Sequence, residues 1–129
     1  MKLNLDCIRD ILLDIEDTTT INKSWKYDSK LPSKRLSCYN RFEIAYQARY
    51  CMDAGLISGF SIGGNSESVY ALDLTPKGHD FIANIRENNI WNGVKSVSKK
   101  IGSSSLEAII QIASNVITEL IKAQFGLTS

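Results

Sequence analysis

The sequence predicts an α+β fold with extra helices at its C-terminus, on three observations. Apolar residues recur at three- and four-residue steps from Leu5 to Ile15 and again from Leu106 to Phe125, which is the helical period. Between these stretches, two β-rich runs at 56–62 and 69–74 flank Gly63-Gly64-Asn65-Ser66-Glu67-Ser68, which is hairpin turn chemistry. Helix punctuation brackets the hairpin, with Gly55 as a stop before it and Thr75-Pro76 as a start after it. At 129 residues, 43% hydrophobic and 22% charged, the chain has the composition of one globular domain, and collagen-like or disordered classes are excluded.

Helix one is expected over roughly 4–17, with Leu5, Ile8, Ile11, Leu12 and Ile15 on its apolar side. Asn4 or Asp6 caps it, and the β-branched run Thr18-Thr19-Thr20 ends it. Trp25 and Tyr27 alternate with Lys26 and Asp28 as in a short strand, until Leu31-Pro32-Ser33 breaks the pattern into a loop. A second helix, 40–54, starts at Asn40 with Glu43 three residues on, a pattern resembling a capping box, and stops at Gly55. Its apolar side is Ile44, Ala48 and Cys51. In the hairpin that follows, Gly63, Gly64 and Asn65 are the residues that tolerate positive φ. Thr75 then caps a third helix, roughly 76–87, which begins at Pro76 and buries Phe81, Ile82 and Ile85. Ile90, Trp91, Val94 and Val97 continue a helical pattern to Lys100. Gly102 and three serines interrupt it, and a last helix starts from Ser104 or Ser105. These elements divide into a core over residues 1–88 and a helical extension over 89–129.

Helix, short strand, basic loop, helix, hairpin, helix is the element order of a winged helix-turn-helix module, with the hairpin as its wing and helix 40–54 in the recognition position. Gly55 suits that design, because an αL residue ends the recognition helix and turns the chain directly into the first wing strand. The run Met52-Asp53-Ala54-Gly55-Leu56-Ile57, followed by Leu72-Asp73-Leu74-Thr75-Pro76-Lys77-Gly78, is similar to the GLI and LTPKG pairing of many bacterial winged-helix regulators. The likeness extends to 1–13, to Asp73–Arg86, to Ile90-Trp91-Asn92 and to Ser104-Ser105-Leu106-Glu107. Together these resemble a family of small proteins from phages and prophages of Gram-positive bacteria, domain of unknown function 2513. The resemblance implies a winged-helix fold and brings no catalytic residue. The chain departs from the family's pattern at Gln47, where His is usual, and at Cys51, where Leu is usual.

Charge is unevenly distributed. Residues 1–21 and 51–90 each carry −3, residues 91–129 carry +2, and residues 22–50 carry +5 from Lys23, Lys26, Lys30, Lys34, Arg35, Arg41 and Arg49 against Asp28 and Glu43. The basic segment contains the loop before the recognition-type helix and most of that helix, which points to double-stranded DNA as partner. Arg41, Tyr46, Gln47, Arg49 and Tyr50 lie off the Ile44/Ala48/Cys51 side. Arg suits guanine, Gln suits adenine, and Tyr reaches phosphate or sugar. Lys34, Arg35 and Ser37 are assigned to the backbone. The hairpin tip has no Lys or Arg and carries Glu67, so it offers no phosphate clamp. A module that docks on a host protein, without catalysis, is the alternative reading.

Catalytic and metal chemistry find little support. His79 is the only histidine, and it reads as a surface or packing residue. Asp6, Asp10, Asp14 and Asp17 fall along one side of helix one and read as a solvated face. Cys7, Cys38 and Cys51 lack metal-ligand spacing and cannot all pair, so free thiols in a cytoplasmic, non-enzymatic protein without cofactor are expected. No run of about 18 uncharged apolar residues is present to cross a membrane. The last helix carries a broad apolar stripe of Ile109, Ile110, Ala113, Val116, Ile117, Leu120 and Ile121, which is read as a homodimer interface.

Overall fold

The computed structural model describes residues 1–102 and 105–126 and divides into two compact units, Met1–Ile82 and Ala83–Ser129. The division falls inside the third helix, where the sequence places it after residue 88. Five helices and five short strands are present among the described residues, and the sheets are antiparallel, so the fold is α+β.

In the first unit, α1 (Leu5–Thr18) starts at Asn4, whose side chain accepts the Cys7 N–H at 3.1 Å. β1 is Trp25–Asp28, with Trp25 and Tyr27 buried. α2 (Arg41–Asp53) is capped by Asn40, which accepts the Glu43 N–H at 2.9 Å. The reciprocal half of the expected capping box is absent. Glu43 Oε1 instead accepts from Asn4 Nδ2 at 2.9 Å, so it joins the N-termini of α1 and α2.

The predicted hairpin forms as two short ladders. β2 (Ile57–Ser58) pairs with β5 (Asp73–Leu74), and β3 (Ser61–Gly63) pairs with β4 (Ser68–Ala71), which also pairs with β1 to give the order β1-β4-β3. The tip turn has positive φ at Gly64, Asn65 and Ser66, and Gly63 belongs to the strand before it, one residue later than the turn chemistry suggests.

The GLI and LTPKG runs prove to be two halves of one junction. α2 ends in a Schellman motif: Gly55 sits at φ +76°, its N–H donates to Met52 O at 2.9 Å, and Leu56 N–H donates to Cys51 O at 2.8 Å. Leu56 and Ile57 enter the core, and Ile57 pairs with Leu74. Thr75 N–H then donates to Leu56 O at 3.0 Å, and the Thr75 hydroxyl donates to Gly55 O while accepting the Gly78 N–H at 3.0 Å. Thr75 is thus the cap of α3 (Pro76–Ile85) and also its tie to the end of α2. Gly78 lies directly on the Leu56 carbonyl: a Cβ there would stand 2.1 Å from Leu56 O.

The row of aspartates on α1 is only partly a solvated face: Asp6 and Asp17 are exposed, while Asp10 and Asp14 are drawn into the structure. Asp14 is buried and accepts from Trp25 Nε1 at 2.7 Å, Asp10 accepts from the Tyr39 hydroxyl at 2.7 Å, and Asp17 accepts from Arg35 at 2.9 Å. These carboxylates anchor β1 and the irregular segment that follows it, up to residue 39, against α1. Periodicity alone could not indicate this, because the partners come from distant, weakly patterned sequence.

Cys7 and Cys51 are buried and Cys38 is exposed, all three as free thiols. Burial pushes the Cys51 thiol from its ordinary 9.0 up to about 12, and Cys7 is raised by burial and then by the charge of Glu43. Tyr39 is raised by burial and by its bond to Asp10. Above the ordinary thiol range the unfolded chain therefore holds fewer protons than the native one. Stability is full below that range and falls as pH rises through it, by about 1.4 kcal/mol per pH unit for each such group. Melting temperatures measured upward from about pH 9 should decline, and Cys51→Ala should flatten the decline relative to wild type.

In the second unit, α4 (Asn88–Ile101) and α5 (Leu106–Gln124) pack together. Glu87 caps α4, Gly102 ends it at φ +71°, and Ser105 caps α5; Ser104, the other expected cap, lies outside the described residues. No described helix is long and apolar enough to cross a membrane.

Candidate nucleic-acid interface

Packing of α2 buries Ile44, Ala45, Gln47, Ala48 and Cys51, which determines the side left open. That side carries Phe42, Arg49, Tyr50, Met52 and Asp53, with Tyr46 half-buried among them. Tyr46 and Tyr50 meet edge to face at 5.2 Å, and with Arg49 and Asp53 they line one shallow hollow. Phe42 and Met52 are 46% and 37% exposed, although the sequence reading passed over both. A helical wheel could have found Phe42, since it falls on the same side as Arg49.

Gln47 requires a correction. It is fully buried; its Oε1 accepts the Asn4 N–H at 3.0 Å, and its Nε2 donates to Lys2 O at 2.9 Å. Both ends of the amide are therefore used in holding residues 2–4 on α2, and it does not face outward to read a base. Arg35 is also committed elsewhere. Its guanidinium lies 2.9 Å from Asp17 and 3.5 Å from Asp14, so it neutralises α1 carboxylates. Lys34 and Ser37 are exposed, and the Ser37 hydroxyl donates to Lys34 O at 2.8 Å within the turn that spans 34–38.

Arg41 lies where helix and hairpin meet. Its Nε donates to Asn65 O at 3.2 Å, and its guanidinium stacks 4.5 Å from the Phe42 ring. The start of α2 and the hairpin turn are thereby joined into one surface. Lys30 borders the same turn, because Ser29 N–H donates to Glu67 O at 2.9 Å; this lysine was not among the residues singled out by sequence. Arg41 and Arg49 are balanced within α2 by Glu43 and Asp53, so the helix itself has no net charge.

His79 is exposed in the first turn of α3. Among the described residues, no three His, Cys, Asp or Glu side chains are grouped to hold a metal ion.

The stripe on α5 divides into two. Ile109 and Ala113 are fully buried in the chain's own packing and are not available to a second copy, while Leu106 and Ile112 are buried beside them. Ile110, Val116 and Ile117 are half-buried, and Leu120 and Ile121 are 49% and 51% exposed.

Comparison with known sequences places residues 2–105 on a family model described as a hypothetical protein, DUF2513. The chain belongs to the DUF2513 family. The match takes in the first unit apart from Met1, together with α4, and it ends at the cap of α5. A protein of Haemophilus influenzae, named only as an uncharacterized protein, is 32% identical to this DUF2513 chain over 123 residues, which covers 94% of the chain and 99% of the relative. No solved structure matches the chain.

Proposed function

We propose that this DUF2513 protein is a winged-helix DNA-binding regulator, phage- or prophage-borne and cytoplasmic, that grips duplex DNA with α2 and the adjoining hairpin turn. Support for the winged-helix reading comes from the order α1, β1, α2, hairpin, α3, and from β1 pairing with the second hairpin strand. A set of turns at 34–38 stands where such modules carry the first helix of the helix-turn-helix. The observation that carries the DNA reading is the Arg41 bridge to Asn65, which makes one surface of helix face and wing turn with Lys30, Arg41 and Arg49 on it. Lys34 and Ser37, exposed in the turn before α2, serve in this reading as backbone contacts, with Tyr46 and Tyr50 on the open side of α2.

Phosphate contacts release counterions, so affinity should fall with salt, and each contact removed should flatten the log–log slope by about 0.9. Fluorescence anisotropy on a labelled duplex, at two salt concentrations, should show Arg41→Ala weakened with a flatter slope and Arg49→Ala weakened as well. Absence of wild-type binding at low salt rejects the reading. A second reading, docking on a host protein, draws on the neutral charge of α2 and its exposed Phe42 and Met52, the composition of a protein interface. Under that reading, Phe42→Ala abolishes capture of one defined host protein, and DNA binding is missing throughout.

A homodimer is proposed through the uncovered end of α5, by Val116, Ile117, Leu120 and Ile121 with Ile110. Each Leu or Ile buried is worth about 1.5–3 kcal/mol, so several of them across a two-fold axis would hold two chains. Ile121→Asp should sediment as a folded monomer at micromolar concentration, where wild type sediments as a dimer. A monomeric wild type rejects the proposal.

A further inference from the structure

Resting on the DNA-binding reading, the open side of α2 also specifies which bases the helix would select. Phe42 and Arg49 are seven residues apart, which is two turns less about 20°, so both project from nearly the same line of the helix. Burial of Ile44, Gln47, Ala48 and Cys51 points that line away from the core. The Arg41 guanidinium stacked 4.5 Å from the Phe42 ring, and tied to Asn65 O, holds the aromatic at the wing end of the surface. Seven residues rise about 10.5 Å along the axis, close to three base pairs at about 3.4 Å each.

We infer that the protein reads a thymine and a guanine about three base pairs apart in the major groove, Phe42 packing on the thymine C5-methyl and Arg49 donating to guanine O6 and N7. Gln47 takes no part, since its amide is spent inside the chain. Asp53, one turn beyond Arg49, is compatible with the groove floor, where a cytosine amino group donates, and is repelled by phosphate. The aromatic and the arginine therefore have separate readouts, one a methyl group and the other a pair of guanine acceptors of which N7 can be removed by itself.

The test is selection from a random duplex pool with the full chain, followed by titration of the winning duplex with two single-atom-scale changes. Uracil in place of the thymine removes only the methyl group and should weaken wild type about fourfold. 7-Deazaguanine in place of the guanine removes N7 and should weaken it about fivefold or more. In Phe42→Ala the uracil change should cost nothing further. The deazaguanine change should likewise cost nothing further in Arg49→Ala, which removes every donor to N7. Circular dichroism checks that both variants fold, and Phe42→Ser replaces Phe42→Ala should the latter misfold. Selected sites without the thymine–guanine pair, or base changes that cost the same in wild type and variant, overturn the inference. Tight but sequence-independent wild-type binding overturns it and leaves the DNA reading standing, whereas no binding at low salt overturns both.

Discussion

Gly78→Ala should abolish the native fold or lower its melting temperature by roughly 10 °C or more, a loss of about 3 kcal/mol. The added Cβ would stand 2.1 Å from Leu56 O and 3.0 Å from Leu56 C, and both are backbone atoms. No rotamer change can clear such a contact. Relief requires α3 to lift off the end of α2, and lifting breaks the Thr75 N–H bond to Leu56 O at 3.0 Å and disturbs the Ile57–Leu74 pairing beneath it. The matched control is Gly93→Ala in α4, where an added Cβ meets nothing within 4 Å. That substitution removes a helix-interior glycine and should stabilise by about 0.5–1 kcal/mol. Opposite signs from the same chemical change, read by thermal or guanidinium unfolding, check the junction directly. A Gly78→Ala protein that melts like wild type contradicts the packing described.

Gln47→Ala should cost about 2–4 kcal/mol, an effect of similar size, because it empties a fully buried site and strands two hydrogen-bonding groups. The Asn4 N–H loses its acceptor at 3.0 Å and Lys2 O loses its donor at 2.9 Å, so residues 2–4 should detach from α2. Detachment also weakens the bond from Asn4 Nδ2 to Glu43 at 2.9 Å, which joins the helix starts. Arg49, two residues further along the same helix, is exposed, and Arg49→Ala should leave the stability within about 0.5 kcal/mol of wild type. Were Gln47 a base-reading residue, the pattern would reverse: stability would be unchanged and DNA selectivity lost. Chemical denaturation of the two variants side by side separates the cases.

The contrast between Gln47 and Arg49 shows where a sequence reading runs out. Polar residues flank both sides of the narrow Ile44/Ala48/Cys51 stripe of α2, and nothing local distinguishes the flank that meets α1 from the flank that meets solvent. The aspartates of α1 pose the same problem. Their spacing is that of an exposed face, and only the approach of Trp25 and Tyr39 draws Asp14 and Asp10 in, while Asp17 meets Arg35 at the surface. On α5, periodicity marks one continuous stripe, yet its first half is spent on the chain's own core and its second half is left open.

By itself the sequence determined most elements and several of their ends: Asn40 and Thr75 as caps, Gly55 and Gly102 as stops, β1 at Trp25–Asp28, and the turn near Gly64, while it left the first and last caps between two residues each and ran α3 on to Glu87, which caps α4. These are local decisions, made by side chains and backbone groups within a few residues of each other, so the chain's order is enough to read them. Tertiary structure alone decided which polar side chains are internal. It brought Gly78 onto the Leu56 carbonyl, Gln47 onto the N-terminal residues, Arg35 onto α1 and Arg41 onto the hairpin turn. Each of these contacts joins residues far apart in sequence. A polar group gives no sign in the sequence of whether its hydrogen bonds will be met by water or by another part of the chain, because that depends on which surface arrives to exclude the water.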